Sequence, residues 1–246
     1  MVASWETPSA DLSLLKKEVH LWRADLHLPD RNIQGLHQIL STAERMKAER
    51  LHFERNRREF IIGVGILRKI LGSYLGVDPK ALQFTRGKRG KPMLCDLFAN
   101  GSIHFNMSHS EGLALYGFTR DHEIGVDIEF VRNIPEMDHI AEQFFSKREN
   151  DVFRSLPESK KKEAFFNCWT RKEAFVKAIG EGFFYPLDQF EVSFTPDEPS
   201  RLLTIDGDSQ TASQWFVGSI KPASGFTAAF AMEGHDWRLH FWQWSG

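Results

Sequence analysis

With 246 residues, 41% of them hydrophobic and 26% charged, the chain can build one large domain or two modest ones around an ample core. Its net charge of −2 excludes a protein that works by laying a general positive surface on nucleic acid or membrane. The 2 cysteines, Cys95 and Cys168, lack metal-ligand spacing and are too few for a disulfide scaffold, so a reducing cytoplasm is expected; no apolar run spans a bilayer, and the first residues lack the pattern of a secretory signal.

In chain order, Ser41-Thr42-Ala43-Glu44 fits the S-x-x-E capping box and predicts a helix start. The run RREFIIGVGILRKILG (57–72) predicts a long helix that stops at Gly72. Pro79 and then Gln83-Phe84 mark a turn and the start of a strand, and RGKRGKP (86–92) reads as an exposed loop. SIHFNMS (102–108) and GLALYGF (112–118) read as neighbouring strands, followed by a seam near 119–140. The same series then repeats. Ser146-Lys147-Arg148-Glu149 is a second capping box, and KKEAFFNCWTRKEAFVKAIG (161–180) is a second long helix that stops at Gly180. Pro186 and Gln189-Phe190 follow, then a loop over 195–213, then strands QWFVGSI (214–220) and GFTAAFA (225–231). Segregated helices and strands predict an α+β fold of two similar halves, each a sheet layer with helices on one face, with a ligand site in the cleft between them.

Three clusters carry chemistry. GVDIE (125–129), in the seam, places Asp127 and Glu129 on one side of a strand, because residues two apart point the same way. Either that face is solvated, or a divalent cation offsets two carboxylates that would otherwise raise each other's pKa. WTRKEAFVK (169–177) aligns Trp169, Glu173 and Lys177 on one helix face. Glu173 and Lys177 form either a surface pair or, beside an apolar Trp169, groups that look into a cleft. NMSHS (106–110), with GKP (90–92) upstream, offers Ser108, His109 and Lys91 to phosphate oxygens; the alternative for His109 is a strand-end cap. Ser108 and His109 point to opposite faces, so they are not a catalytic dyad. Three carboxylates and several cations suit metal-assisted phosphoryl transfer, and no Walker loop or dinucleotide fingerprint is present.

Taken in order, GKP, NxSHS, GVDIE, FFSKRE and WTRKEAFVKAIGEGF resemble the 4′-phosphopantetheinyl transferases of the surfactin type (Sfp-like) from about Ser41 to Phe190. The resemblance implies a pseudo-dimer of two similar α/β halves with the active site in the cleft between them. Its boundaries would be 1–122 and 123–246, with a final strand that returns to the N-terminal half. It implies transfer of the phosphopantetheine arm of coenzyme A to a serine hydroxyl of an apo acyl or peptidyl carrier protein, with release of 3′,5′-ADP. Asp127, Glu129 and Glu173 would bind Mg²⁺, with Mn²⁺ as an alternative. Glu173, directly or through a metal-bound water, would act as general base, and Lys177 would stabilise the pyrophosphate. Lys91, Ser108 and His109 would hold the 3′-phosphoadenosine end of coenzyme A. Arg45 and Arg58 would reach phosphates, although Arg57 and Arg58 are not separable by position.

Carrier docking is expected on the segment after the carboxylate pair, at Arg132, Ile134 and Met137; the alternative is that these residues pack the interface between the two halves. The expected protein is a monomer with no nucleic-acid or membrane partner. It would serve fatty-acid, polyketide or nonribosomal peptide synthesis. The competing reading is a non-catalytic protein of the same fold that binds coenzyme A or a nucleotide.

Overall fold

Strand β1 (Glu18–Asp25) and helix α1 (Asp30–Ile39) precede the first of two similar series in the computed structural model, which describes residues 4–8, 12–87, 89–98 and 103–246. Lys88 of RGKRGKP and Ser102 of SIHFNMS lie outside the described residues. The first series is α2 (Thr42–Glu49), α3 (Glu54–Leu75), a 3₁₀ turn (Pro79–Ala81), β2 (Phe84–Arg86), β3 (Pro92–Leu94), β4 (Ile103–Ser110) and β5 (Leu113–Arg120). The second opens with β6 (Ile124–Phe130) and α4 (Met137–Phe144). It then runs through α5 (Lys147–Ser155), α6 (Glu158–Ile179), a 3₁₀ turn (Leu187–Gln189) and β7 (Phe190–Val192). β8 (Leu202–Ile205), α7 (Ser209–Ala212), β9 (Trp215–Ile220), β10 (Phe226–Glu233) and β11 (Arg238–Gln243) complete the chain.

Both capping boxes form, and each does a second job. Ser41 and Glu44 exchange bonds at the start of α2, as do Ser146 and Glu149 at the start of α5. The Glu44 carboxylate then accepts from buried Arg68 of α3 at 2.8 Å, and Arg68 donates on to the carbonyls of Pro79 and Leu82. In the second series Glu149 lies 2.7 Å from the buried ammonium of Lys172 on α6, and Lys172 donates to the carbonyls of Leu187 and Phe190. In each half a cation on the long helix thus ties the helix start to the turn that leads into the next strand. Each long helix is 22 residues. α6 stops with Gly180 in the left-handed region, whereas α3 continues past Gly72 to a left-handed Gly76. Gly72 is needed for another reason: a Cβ there would press on Pro79 and the Val77 carbonyl.

The strands form two main sheets, where a sheet with helices on one face was expected for each half. One has the order β11-β1-β5-β4 and the other β6-β10-β9. Alternation along the strands builds three apolar layers. Trp22 and Ala24 of β1, with Ala114, Tyr116 and Phe118 of β5, face α3. Val19, Leu21 and Leu115 turn the other way and meet Ile124, Val126, Ile128, Ala228 and Phe230 of the second sheet. Ala229 and Ala231 of β10 pack with Ala174 and Ala178 of α6. The order is helices, sheet, sheet, helices, so each sheet has helices on one face and the other sheet on its other face. β11 pairs in parallel with β1, joining the N-terminal sheet.

Two segments expected as exposed loops are partly ordered. RGKRGKP contains the turn of the β2–β3 hairpin, and 195–213 contains β8 and α7. Among the described residues, no helix is long and apolar enough to cross a membrane.

Candidate active site

β4 and β6 are the edges at which the two sheets meet, and polar side chains join them. His104, Asn106, Ser108 and Ser110 alternate along β4 onto the side that faces β6. His104 bonds Glu123 at 2.9 Å, and the Asn106 side-chain oxygen accepts from the Val126 amide at 3.0 Å. Ser108 donates to Asp127 at 2.9 Å; Ser110 donates to Glu129 at 3.0 Å and accepts from the Phe130 amide. The even positions of one short strand therefore position both carboxylates of GVDIE.

On β6 the apolar residues Ile124, Val126 and Ile128 enter the layer between the sheets, which turns Gly125, Asp127 and Glu129 toward α6. Gly125 lets the helix come close: a Cβ at this position would overlap the Ala174 carbonyl and the Ala178 amide of α6. This approach brings Lys177 to 2.6 Å from Asp127 and 3.1 Å from the Ser108 hydroxyl.

Glu173, one turn before Lys177 on α6, belongs to the same electrostatic group. Burial pushes its carboxyl above the ordinary value, the charges of Asp127 and Glu129 add to this, and Lys177 opposes it. Burial and Asp127 likewise raise Glu129, against Ser110, Arg132 and Lys177. Asp127 is only 4% exposed, and its second oxygen, Oδ2, is buried without a hydrogen-bond partner. Buried polar atoms are seldom left unpaired, because doing so costs about 1–3 kcal/mol. The three carboxylates act on one another electrostatically, although among the described residues their oxygens are not gathered within 4.8 Å of one another as a ready-made ligand group. As hard-oxygen donors with one orphaned atom, they are of the type that suits a divalent cation such as Mg²⁺.

The remaining site residues lie around this cluster. The ring of His109 points toward α3, 3.9 Å from Glu59. Burial lowers its pKa; Glu59 opposes the shift and Lys177 reinforces it. Glu59 in turn lines a groove of about 880 Å³ with Leu26, Pro29, Arg55, Arg58 and Glu111. Arg58 is held there by Asp30 at 2.7 Å and the Leu28 carbonyl. Arg45 is half-buried on α2 and has no side-chain partner among the described residues. Lys91 is largely buried, and its ammonium donates to Glu123 at 2.6 Å and to the carbonyls of Ile124 and Ala178. It pins the β2–β3 hairpin to the start of β6 and the end of α6. Arg132 is exposed, 3.8 Å from Glu129, while Ile134 and Met137 are half-buried against the C-terminal core. Trp169 packs on Phe144 and Phe165.

Sequence reasoning missed Ser110, Asn106, Glu123 and Glu59. The first two carried a readable signal, since every second residue of HFNMSHS from His104 on is polar.

A family model described as the 4′-phosphopantetheinyl transferase superfamily matches residues 123–231, and one described as the 4′-phosphopantetheinyl transferase N-terminal region matches residues 29–116. The 4′-phosphopantetheinyl transferase HetI of Nostoc sp. is 41% identical over 98% of this chain and 98% of its own. The 4′-phosphopantetheinyl transferase psf-1 of Bacillus pumilus is 32% identical over 80% of this chain and 82% of its own. For the 4′-phosphopantetheinyl transferase Sfp of Bacillus subtilis the figures are 30%, 65% and 68%. With both halves matched and HetI similar from end to end, the chain is an enzyme of the 4′-phosphopantetheinyl transferase family.

Proposed function

We propose that this enzyme transfers 4′-phosphopantetheine from coenzyme A to a serine hydroxyl of an apo acyl or peptidyl carrier protein, with Mg²⁺ at Asp127, Glu129 and Glu173. The observation that carries the metal assignment is the orphaned, buried Asp127 Oδ2 beside two carboxylates whose pKa values are raised. A divalent ion held there supplies positive charge to the pyrophosphate of coenzyme A and to the departing phosphate.

The chain's own groups do the rest. The carrier serine must lose its proton as its oxygen attacks the phosphorus next to pantetheine. The pyrophosphate bond then breaks and 3′,5′-ADP leaves. Glu173, directly or through a water, takes the serine proton: it is a carboxylate one helical turn before Lys177 in the same cleft, so an acceptor and a cation flank the reacting oxygen. Lys177, fixed by Asp127 and Ser108, presents a preorganised ammonium to charge that builds on the bridging oxygen. His109, Arg58 and Arg45 are assigned to the phosphates at the adenosine end, and Ser108 with them once its single O–H turns from Asp127 to a phosphate oxygen. Lys91 joins them only by exchanging Glu123 for a phosphate oxygen, because its N–H donors are all taken. Arg132 beside the metal pair, with Ile134 and Met137 behind it, faces the carrier, whose modified serine is expected on an acidic surface. One chain supplies both sides of the site, which supports action as a monomer, and two free cysteines suit a reducing compartment such as the cytoplasm.

The test is mass spectrometry of a panel of apo carrier proteins incubated with the enzyme, coenzyme A and Mg²⁺. A phosphopantetheine mass gain that EDTA abolishes is expected. Absence of any gain across fatty-acid, polyketide and nonribosomal peptide carriers overturns the assignment.

A further inference from the structure

A second cluster of ligating side chains lies across the N-terminal sheet, on the β1–β11 pair, away from the β4 edge that carries Ser108. In the parallel register of β1 and β11, His20 stands opposite His240. Glu18 lies two residues before His20 and so shares its face. One ligating atom from each residue can be chosen so that all three lie within 4.8 Å of one another. Glu18 approaches His20 Nε2 at 3.5 Å with one oxygen and His240 Nε2 at 3.6 Å with the other. Those separations are at or beyond the limit of a hydrogen bond. They are close to the edge of a tetrahedron with metal bonds of about 2.0–2.1 Å, which is roughly 3.3–3.4 Å.

The nitrogens are otherwise unused. His20 is only 2% exposed, and its Nε2, like that of His240, is buried with no hydrogen-bond partner. The His20 ring is held from its far side, where Nδ1 lies 2.7 Å from the Tyr74 hydroxyl, which also accepts from the Trp22 indole at 2.8 Å. A partner on one ring nitrogen that aims the other inward is how metal-binding histidines are oriented. Glu18 is held in place by the Leu15 amide, which donates to it at 3.0 Å. Arg238 also touches Glu18, at 3.4 Å, but is 74% exposed and free to turn to solvent. The Trp242 ring stacks on His240 and meets His20 edge-on, shielding the cluster.

We propose that Glu18, His20 and His240 form a second metal site, for a borderline divalent transition ion such as Zn²⁺, that clamps β11 onto β1. Two imidazoles and one carboxylate suit Zn²⁺, Co²⁺ or Ni²⁺ rather than Mg²⁺, which prefers oxygen alone. A tetrahedral ion would have its fourth position open to water. No residue is shared with the carboxylate site on β6 and α6, so the two are separable by experiment.

The experiment loads metal-free protein with Zn²⁺, removes free ion by gel filtration and measures bound zinc. Wild type and Asp127→Asn should each retain about one zinc per chain, and His240→Gln under about a tenth of that. Zinc at a hundredfold excess over its Kd should raise the melting temperature of wild type by roughly 5–10 °C and leave His240→Gln unmoved. X-ray absorption of zinc-loaded wild type, which needs no variant to fold, should show imidazole in the coordination shell. Failure of wild type to retain zinc, equal retention by His240→Gln, or a shell without imidazole overturns the site.

Discussion

Glu173 and Glu123 are both acidic residues beside a lysine, yet their surroundings push them in opposite directions. Burial and two neighbouring carboxylates raise Glu173. Burial also opposes ionisation of Glu123, but the hydrogen bond from His104 and the charge of Lys91 outweigh it and pull its pKa down to about 2. The first group is therefore poised to accept a proton or a cation, and the second is a fixed anion. Replacing Glu173 by Gln should lower the rate of carrier modification by about 10²–10⁴-fold. Its affinity for coenzyme A should fall by much less, about tenfold or under, since proton transfer occurs only in the transition state while Asp127 and Glu129 still hold the cation that meets the pyrophosphate. Single-turnover kinetics and calorimetry check the two halves of that statement. For Glu123 the sign follows from linkage: a depressed carboxylate stabilises the fold above its ordinary value of 4.5, and this is lost as pH falls toward about 2. The side chain is 41% exposed, so screening limits the effect to about 0.5–1 kcal/mol. Urea titrations should show Glu123→Gln weaker than wild type at pH 7, with the gap closing below pH 4.5.

At the scale of elements, α6 carries the largest share of the design. Lys172 and Glu149 are 0% and 3% exposed, so removing one leaves the other charge buried and alone. Lys172→Met should cost about 3–5 kcal/mol in denaturant unfolding. Gly125→Ala should push β6 off α6 and separate Asp127 from Lys177. Transfer should then fall steeply even where far-UV circular dichroism shows the fold retained. Both long helices, both capping boxes, the strand pair before GVDIE and the strand GVDIE itself were legible in the sequence, because they rest on local signals: the S-x-x-E spacing, left-handed glycine at a helix end, and side-chain alternation. Gly72 misled because it lies in a helical run and obeys a packing constraint from Pro79, several residues away. The engagement of Lys91 with Glu123 and two carbonyls was not legible either, since those partners come from strands and helices distant in sequence. The carboxylate pair Asp127 and Glu129 itself was visible as a period-2 pattern. Its buried, unpaired oxygen emerges only when β4, β6 and α6 come together.

For the whole molecule, the layer of Val19, Leu21, Leu115, Val126, Ile128 and Phe230 between the sheets joins the two halves through apolar contact. The halves should therefore unfold together, and calorimetry should give one transition whose van't Hoff and calorimetric enthalpies agree. Two separate transitions would contradict this. The parallel pairing of β1 with β11 has a kinetic consequence as well. Arg23 and Gln243, partners in that ladder, are 220 residues apart in sequence. The N-terminal sheet cannot be completed from its own half. Its outermost strand arrives only after a very long loop has closed, and pairings of such high contact order form late and slowly. Until then β1 presents an open edge beside Trp22 and Leu21. The vulnerable moment of this protein is thus its folding, when an unpaired strand next to a large apolar layer is open to association with other chains.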